Sequence, residues 1–320
     1  MDSARNARKK KKNMRNKNKI LEIKKNFALL IIIPLLVTAC QGSQESGNEE
    51  TSLVVTVSIP PQAYFVDRVA GDAVTVNVMV GPGEEPHTYE PSPEQMKTLS
   101  SSQIFFSIGV EYEETWIPRF KDINPELTVI DSAAGIERIS MMDDHDHDEE
   151  NEDLTEESRM DPHVWLSPQN GKIIAQNILM ALAELAPQHQ EAFQENYEDL
   201  IGDIAALDSR IKAILSNVDG AAFMVFHPAW GYFAQDYNLE QIPVQVGGQD
   251  PSVSELADLV DKAREEDIRV IFIQPSFSST DAQAIAEEIN GEVAVVDPLA
   301  RDWLTNLEKV AEAFAAALDQ

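Results

Sequence analysis

The chain has a single cysteine, Cys40, in 320 residues, so no disulfide can close within it. It has no apolar run long enough to cross a bilayer: residues 27–39 are apolar, about half of the ~20 that a spanning helix needs. It has no His-Glu-x-x-His pair, the helical signature of one class of zinc hydrolases. Beyond residue 26 it is also short of positive charge, because eleven of its 25 Lys and Arg lie in the first 26 residues. The remainder is therefore more acidic than the net −30 of the whole chain. That balance excludes nucleic acid as a partner, since such binding relies on cationic side chains that neutralise phosphates. The same charge favours solubility and draws cations to the surface.

The leader has a plan of its own. A basic stretch over 1–26 followed by the apolar 27–39 is the layout of a secretory signal peptide. It ends in Leu36-Val-Thr-Ala-Cys40, which looks like a bacterial lipobox. Lipidation at Cys40 is the expectation, with a free thiol at the end of an ordinary signal or anchor as the alternative. Residues 40–52 are polar with Gly and Ser and read as a flexible tether. The mature protein is then anchored to a membrane without crossing it.

From residue 53 onward, strand and helix signals alternate, the mark of an α/β fold with parallel sheets. Strands are expected over 53–58, 74–80, 104–108 and 127–130, with helices over 60–71, 94–101 and 113–120. A second set of strands is expected over 222–226, 240–246, 270–273 and 293–296, with helices over 229–237, 253–266, 280–289 and 303–318. Between the sets, Ile173, Ile174, Ile178, Leu179, Leu182 and Leu185 mark one helix that Pro187 interrupts. Phe193, Tyr197, Leu200, Ile204, Leu207, Ile211 and Leu215, spaced by three and four, mark another over 188–216. At 1.5 Å per residue it is about 40 Å long. The expected architecture is two lobes, 53–186 and 218–320, each a four-stranded, mainly parallel sheet flanked by helices, joined by a long rigid helix over 187–217. His189, among Gln and Glu, is expected to face solvent. Residues 141–157 break the pattern with a dense acidic run that holds His145 and His147. It reads as a solvated loop that either only carries charge or collects metal ions weakly.

Three other histidines sit in distinctive surroundings after apolar runs: His87, His163 and His227. The carboxyl ends of parallel strands converge on one crevice, so side chains there can meet although distant in sequence. His87 follows the strand ending at Val80, His227 follows Phe226, and Asp297 follows Val296, while His163 precedes the helical tract. Three neutral imidazoles and one carboxylate form a tetrahedral N3O set that suits Zn2+. Tyr89 and Glu90 either brace the His87 region by hydrogen bonds or belong to packing and turn formation. Trp165 and Trp230 are expected to wall the site with apolar bulk.

The motifs are specific as a group. Pro-His-Thr-Tyr-Glu-Pro-Ser-Pro around His87, Asp-Pro-His-Val-Trp-Leu-Ser-Pro around His163, Phe-His-Pro-Ala-Trp-Gly-Tyr-Phe around His227 and Val-Asp-Pro-Leu around Asp297 resemble the metal-binding motifs of the zinc and manganese solute-binding lipoproteins of ABC importers, the zinc-uptake (ZnuA-like) group. The likeness runs from residue 53 to the end. It implies ion capture between two lobes and delivery to a membrane permease with its ATPase, by a monomer held extracytoplasmically through lipid on Cys40, in a periplasm or on the outer face of the cytoplasmic membrane. By the same resemblance His87, His163 and His227 are ligands, and Asp297 falls where relatives have a carboxylate ligand or leave the place to water. Manganese relatives tend to have a carboxylate where this chain has His227, which tilts the choice toward zinc, with Mn2+ as the alternative. The acidic loop with His145 and His147 resembles the zinc-uptake branch, though it is short.

Two other classes remain in view. An exported zinc hydrolase needs an open metal position and a nearby general base, for which Glu90 is the candidate. A surface adhesin would keep the metal for stability alone. The binding protein, which is not an enzyme, is the leading reading.

Overall fold

The structure is a computed structural model that describes residues 53–141, 160–245, 251–275 and 280–319. The expected signal and tether, Cys40, His145 and His147 lie outside the described residues. The first sheet contains β1 (Leu53–Val57), β2 (Val74–Val78), β3 (Ile104–Ser107) and β4 (Thr128–Asp131), in the order β2-β1-β3-β4 with every pair parallel. Three helices alternate with them: α1 (Pro60–Ala70), α2 (Pro93–Leu99) and α3 (Tyr112–Ile123). Next come α4 (Pro168–Leu185) and α5 (Gln190–Ile214). The second sheet has β5 (Ala222–Val225), β6 (Glu240–Pro243), β7 (Val270–Ile273) and β8 (Glu292–Val295), again all parallel, in the order β6-β5-β7-β8. Helices α6 (Gly231–Asp236), α7 (Val253–Glu265) and α8 (Thr280–Ile289) accompany it, and α9 (Trp303–Leu318) follows. The two sheets thus share one winding order.

Central strands β3, β5 and β7 are buried along their whole length, which is why they read as unbroken apolar runs rather than alternating ones. Helix starts are set by side chains suited to them. Pro60 and Pro168 open α1 and α4, where a missing N–H costs nothing. The Ser167 hydroxyl caps α4 by accepting from the N–H groups of Gln169 and Asn170, both at 3.1 Å. Gln62, fully buried, accepts from the N–H of Ser58 at 2.9 Å and donates to the carbonyls of Phe106 and Ser107 at 3.1 Å. It fastens the end of β1 to the end of β3.

Helix α5 has 25 residues, about 38 Å at the usual rise. Its buried stripe of Phe193, Leu200, Ile204, Leu207 and Ile211 packs between α1 and α4 of the first half and α9 of the second. One apolar cluster runs from the first sheet through this helix to Phe223, Val225, Phe272 and Phe314. A second cluster covers the other face of the second sheet around Met224, Ile242, Ile271 and Ile285. Trp303, at the start of α9, reaches back to the first half, its ring 4.8 Å from that of Phe65. Gly171 makes room for it, since a Cβ there would come within 2.7 Å of the indole.

Three expectations change in detail. The strand expected over 240–246 ends at Pro243, on the edge of the sheet where proline is tolerated. Beyond it, the N–H groups of Val244 and Gln245 still bond to Val225 and Phe226 at 2.8 Å. The helix expected from 229 begins at Gly231, because the Ala229 N–H turns back to the His227 carbonyl. His189 faces solvent only in part: it is half-buried, with its ring 5.8 Å from that of Phe193.

Candidate metal centre

Each lobe's strand order reverses beside a central strand, and the crevice at the carboxyl ends of such strands is where open α/β sheets bind ligands. His227 lies two residues past β5, and the loop after β2 carries His87. His163 arrives differently, on the segment leading into a 3-10 turn, Val164–Leu166, and then α4. That segment is held by the indole N–H of Trp165, which donates to the Pro298 carbonyl at 2.7 Å, and by the indole N–H of Trp303, which donates to the Trp165 carbonyl at 2.6 Å.

These placements bring the three imidazoles together. Nε2 of His227 is 3.2 Å from Nε2 of His87 and 3.3 Å from Nε2 of His163. Among the described residues these three form a group whose candidate ligand atoms all lie within 4.8 Å of one another. A tetrahedral ion with metal–nitrogen bonds of about 2.0–2.1 Å requires nitrogen–nitrogen edges of about 3.3 Å. The two distances from His227 match the edges of one shared ion's coordination shell.

The opposite ring nitrogens explain the orientation. Nδ1 of His87 lies 2.5 Å from Oε2 of Glu111, Nδ1 of His163 lies 2.7 Å from Oδ1 of Asp161, and Nδ1 of His227 lies 3.4 Å from Oε1 of Gln245. An oxygen that accepts there places the ring proton on Nδ1 and leaves the Nε2 lone pair aimed at the common point. Burial would lower the His87 pKa, but hydrogen bonding to Glu111 and the charges of Glu111, Glu85 and Asp161 raise it overall. Burial would raise Glu111, yet contact with His87 holds it below its usual value. His227 is pushed well below its usual value by burial and by the neighbouring His163 and His87, so it stays neutral and ready to ligate.

Asp297, expected as a fourth ligand, stands outside the group; its Oδ1 accepts the Leu299 N–H at 2.8 Å. A small cavity beside the histidines is lined by Glu85, His87, His163, Trp165, Gln274 and Leu299. Two buried atoms of those residues, Oε2 of Glu85 and Nε2 of Gln274, have no hydrogen-bond partner among the described residues. Oε1 of Glu85 is 3.5 Å from Nε2 of His87. Tyr89 serves packing: it is buried, donates to the Met79 carbonyl at 2.6 Å and meets the Tyr112 ring edge-on. Glu90 is exposed. Trp165 and Trp230 are both buried, the former with its ring 5.3 Å from that of His163.

Sequence reasoning missed Glu111, Asp161, Gln245, Glu85 and Gln274. The strand-end rule that picked the histidines also marks Glu111 after β3, Gln245 after β6 and Gln274 after β7, and Asp161 sits two residues before its histidine.

Residues 55–317 match the family described as ZnuA, "Zinc-uptake complex component A periplasmic". The chain belongs to that family. It is a family of solute-binding transport proteins rather than of enzymes. The chain is 27% identical over 272 residues to the high-affinity zinc uptake system protein ZnuA of Bacillus subtilis (strain 168), covering 83% of this chain and 85% of that protein. It is 27% identical over 316 residues to the zinc-binding lipoprotein AdcA of Streptococcus pneumoniae serotype 4, covering 92% of this chain but only 62% of AdcA. A crystal structure of ZnuA superposes with a TM-score of 0.76 at 39% identity, covering 83% of this chain and 99% of that one.

Proposed function

We propose that this ZnuA family member is an extracytoplasmic solute-binding lipoprotein that captures Zn2+ between its lobes and hands it to the permease and ATPase of an ABC importer. Lipid on Cys40 would anchor it, and one chain would act alone, binding metal without catalysing a reaction. The observation that carries the reading is the gathering of three imidazoles, with Nε2 of His227 3.2 and 3.3 Å from Nε2 of His87 and His163 and each Nδ1 facing an oxygen. Three borderline nitrogen donors suit zinc, whereas manganese favours sites richer in carboxylate oxygen. The names of the relatives support the same cargo.

For the fourth donor, the unpaired atoms favour a water between Glu85 and Gln274. It would accept from Nε2–H of Gln274, donate to Oε2 of Glu85 and offer its remaining lone pair to the ion. A buried water needs two to four such partners, and this arrangement satisfies both orphaned atoms at once. Asp297, with Oδ1 already accepting an N–H, is the less supported donor. Calorimetric titration of the purified protein with Zn2+ and with Mn2+ tests the reading: one tight zinc event per chain is expected, and a preference for manganese would overturn the choice of metal.

A further inference from the structure

The eight-residue run from His227 to Ala234 does more than supply a ligand. Tyr232, buried in α6, donates its hydroxyl to the Asp161 carbonyl at 2.9 Å and accepts the Ile139 N–H at 3.2 Å. Asp161 also bonds Ile139 through its own N–H, at 2.9 Å, so the phenol closes a junction at which two strands of chain cross. Oδ1 of Asp161 takes both the main-chain N–H of His163 at 2.8 Å and its Nδ1 at 2.7 Å. The residue before Tyr232 is glycine, and a Cβ there would lie 2.9 Å from Oδ2 of Asp161 and 3.2 Å from Cδ1 of Ile139. From the second lobe, then, one residue pins the Asp161 main chain while its neighbour leaves room for the Asp161 carboxylate.

We propose that Gly231 and Tyr232 form a brace across the lobes which positions Asp161, and through it the His163 imidazole, so that two of the three ligands are set by one loop of the second lobe. The brace rests on the reading of the three histidines as the zinc site. Tyr232 is a positioning residue, acting through Asp161 rather than on the ion. Burial pushes its phenol up to about 12, so the hydroxyl keeps its proton for the bond to Asp161 throughout the working range. A ligand imidazole loosened about its Nδ1 contact keeps its donor atom but loses its fixed direction. Ion release should therefore accelerate more than capture slows, because capture is governed by encounter.

The test is stopped-flow zinc release to a chelator, with melting of the metal-free protein as a check on folding. Tyr232→Phe and Gly231→Ala should each release zinc about three- to tenfold faster, below the roughly tenfold or greater effect of removing a direct partner of a ligand. Tyr237→Phe, which loses a hydroxyl contact to Asp208 of α5, should release at the wild-type rate. Because the brace works through the Asp161 side chain, Asp161→Ala, which leaves no side-chain oxygen to position, combined with Tyr232→Phe should release no faster than Asp161→Ala alone. Effects that multiply, or wild-type release from both brace variants with normal folding, would overturn the brace. A wild type with no tight zinc event would instead overturn the underlying site, so the two failures are separable.

Discussion

The carboxylate of Glu111 meets Nδ1 of His87 at 2.5 Å across 24 residues of chain, joining the loop after β3 to the loop after β2. It fixes which nitrogen of His87 faces the other imidazoles, and it raises the proton affinity of the same ring. Glu111→Gln keeps an acceptor but removes the charge. Zinc affinity at pH 8 should fall by about tenfold, as for other partners of ligand histidines. At pH 6 the gap should narrow, because the variant's His87 binds its competing proton less tightly. Titrations at the two pH values check both parts, and an equal loss at each would count against the charge effect.

Gln274 is the second-lobe side of the small cavity beside the histidines, with a buried Nε2 that lacks a partner among the described residues. If it holds the fourth donor, Gln274→Leu should weaken zinc binding by about tenfold while slightly stabilising the metal-free protein, since an unsatisfied buried amide is removed. Calorimetry and thermal melting together decide it. Unchanged affinity would eliminate the proposed water.

Glu113 is buried behind the His87 support, accepting from the Ser58 hydroxyl and from the N–H groups of Ile108 and Gly109. Burial pushes its carboxyl up to about 7 from 4.5. The folded state therefore binds more protons than the unfolded state between those values, and stability declines as pH rises from about 4.5 to 7. The contribution is at most about 3 kcal/mol. His227 acts in the opposite sense: its lowered value means the unfolded chain takes up a proton that the fold refuses, so stability falls as pH drops below about 6.5. Urea unfolding of the metal-free protein across pH 4.5 to 8 should show Glu113→Gln losing the decline on raising the pH from about 4.5 to 7, and His227→Gln losing the decline on lowering it below about 6.5.

Ser140 and Met160 pair as an isolated antiparallel bridge, which brings together the two ends of the acidic stretch carrying His145 and His147. Replacing 143–157 by a short turn should leave the tight zinc event intact and remove only weaker ones. Loss of the tight event in calorimetry would place that stretch in the principal site.

Much was legible in the local sequence because the signals were local. Apolar runs marked all eight strands of the described residues, spacings of three and four marked α4 and α5, and strand-end position selected His87 and His227. The partners of the ligands were not legible in the same way. Glu111 and Gln245 are ordinary polar residues in loops, and nothing in their neighbours says which histidine each will meet. His189 failed for a related reason: its polar neighbours suggested solvent, but the helix turn set its ring against Phe193.

The order of elements, the parallel character of both sheets, the acidic surface and the residue types available for a metal follow from the amino-acid sequence alone, because periodicity, charge and donor chemistry act over a few residues. Which nitrogens converge, that Asp297 stands apart while Glu85 and Gln274 face the same cavity, and that Tyr232 reaches Asp161 were decided only by the packing of one half against the other. Those are distances between segments 60 to 200 residues apart, set by the shared core around α5 and Trp303, and no local pattern encodes them.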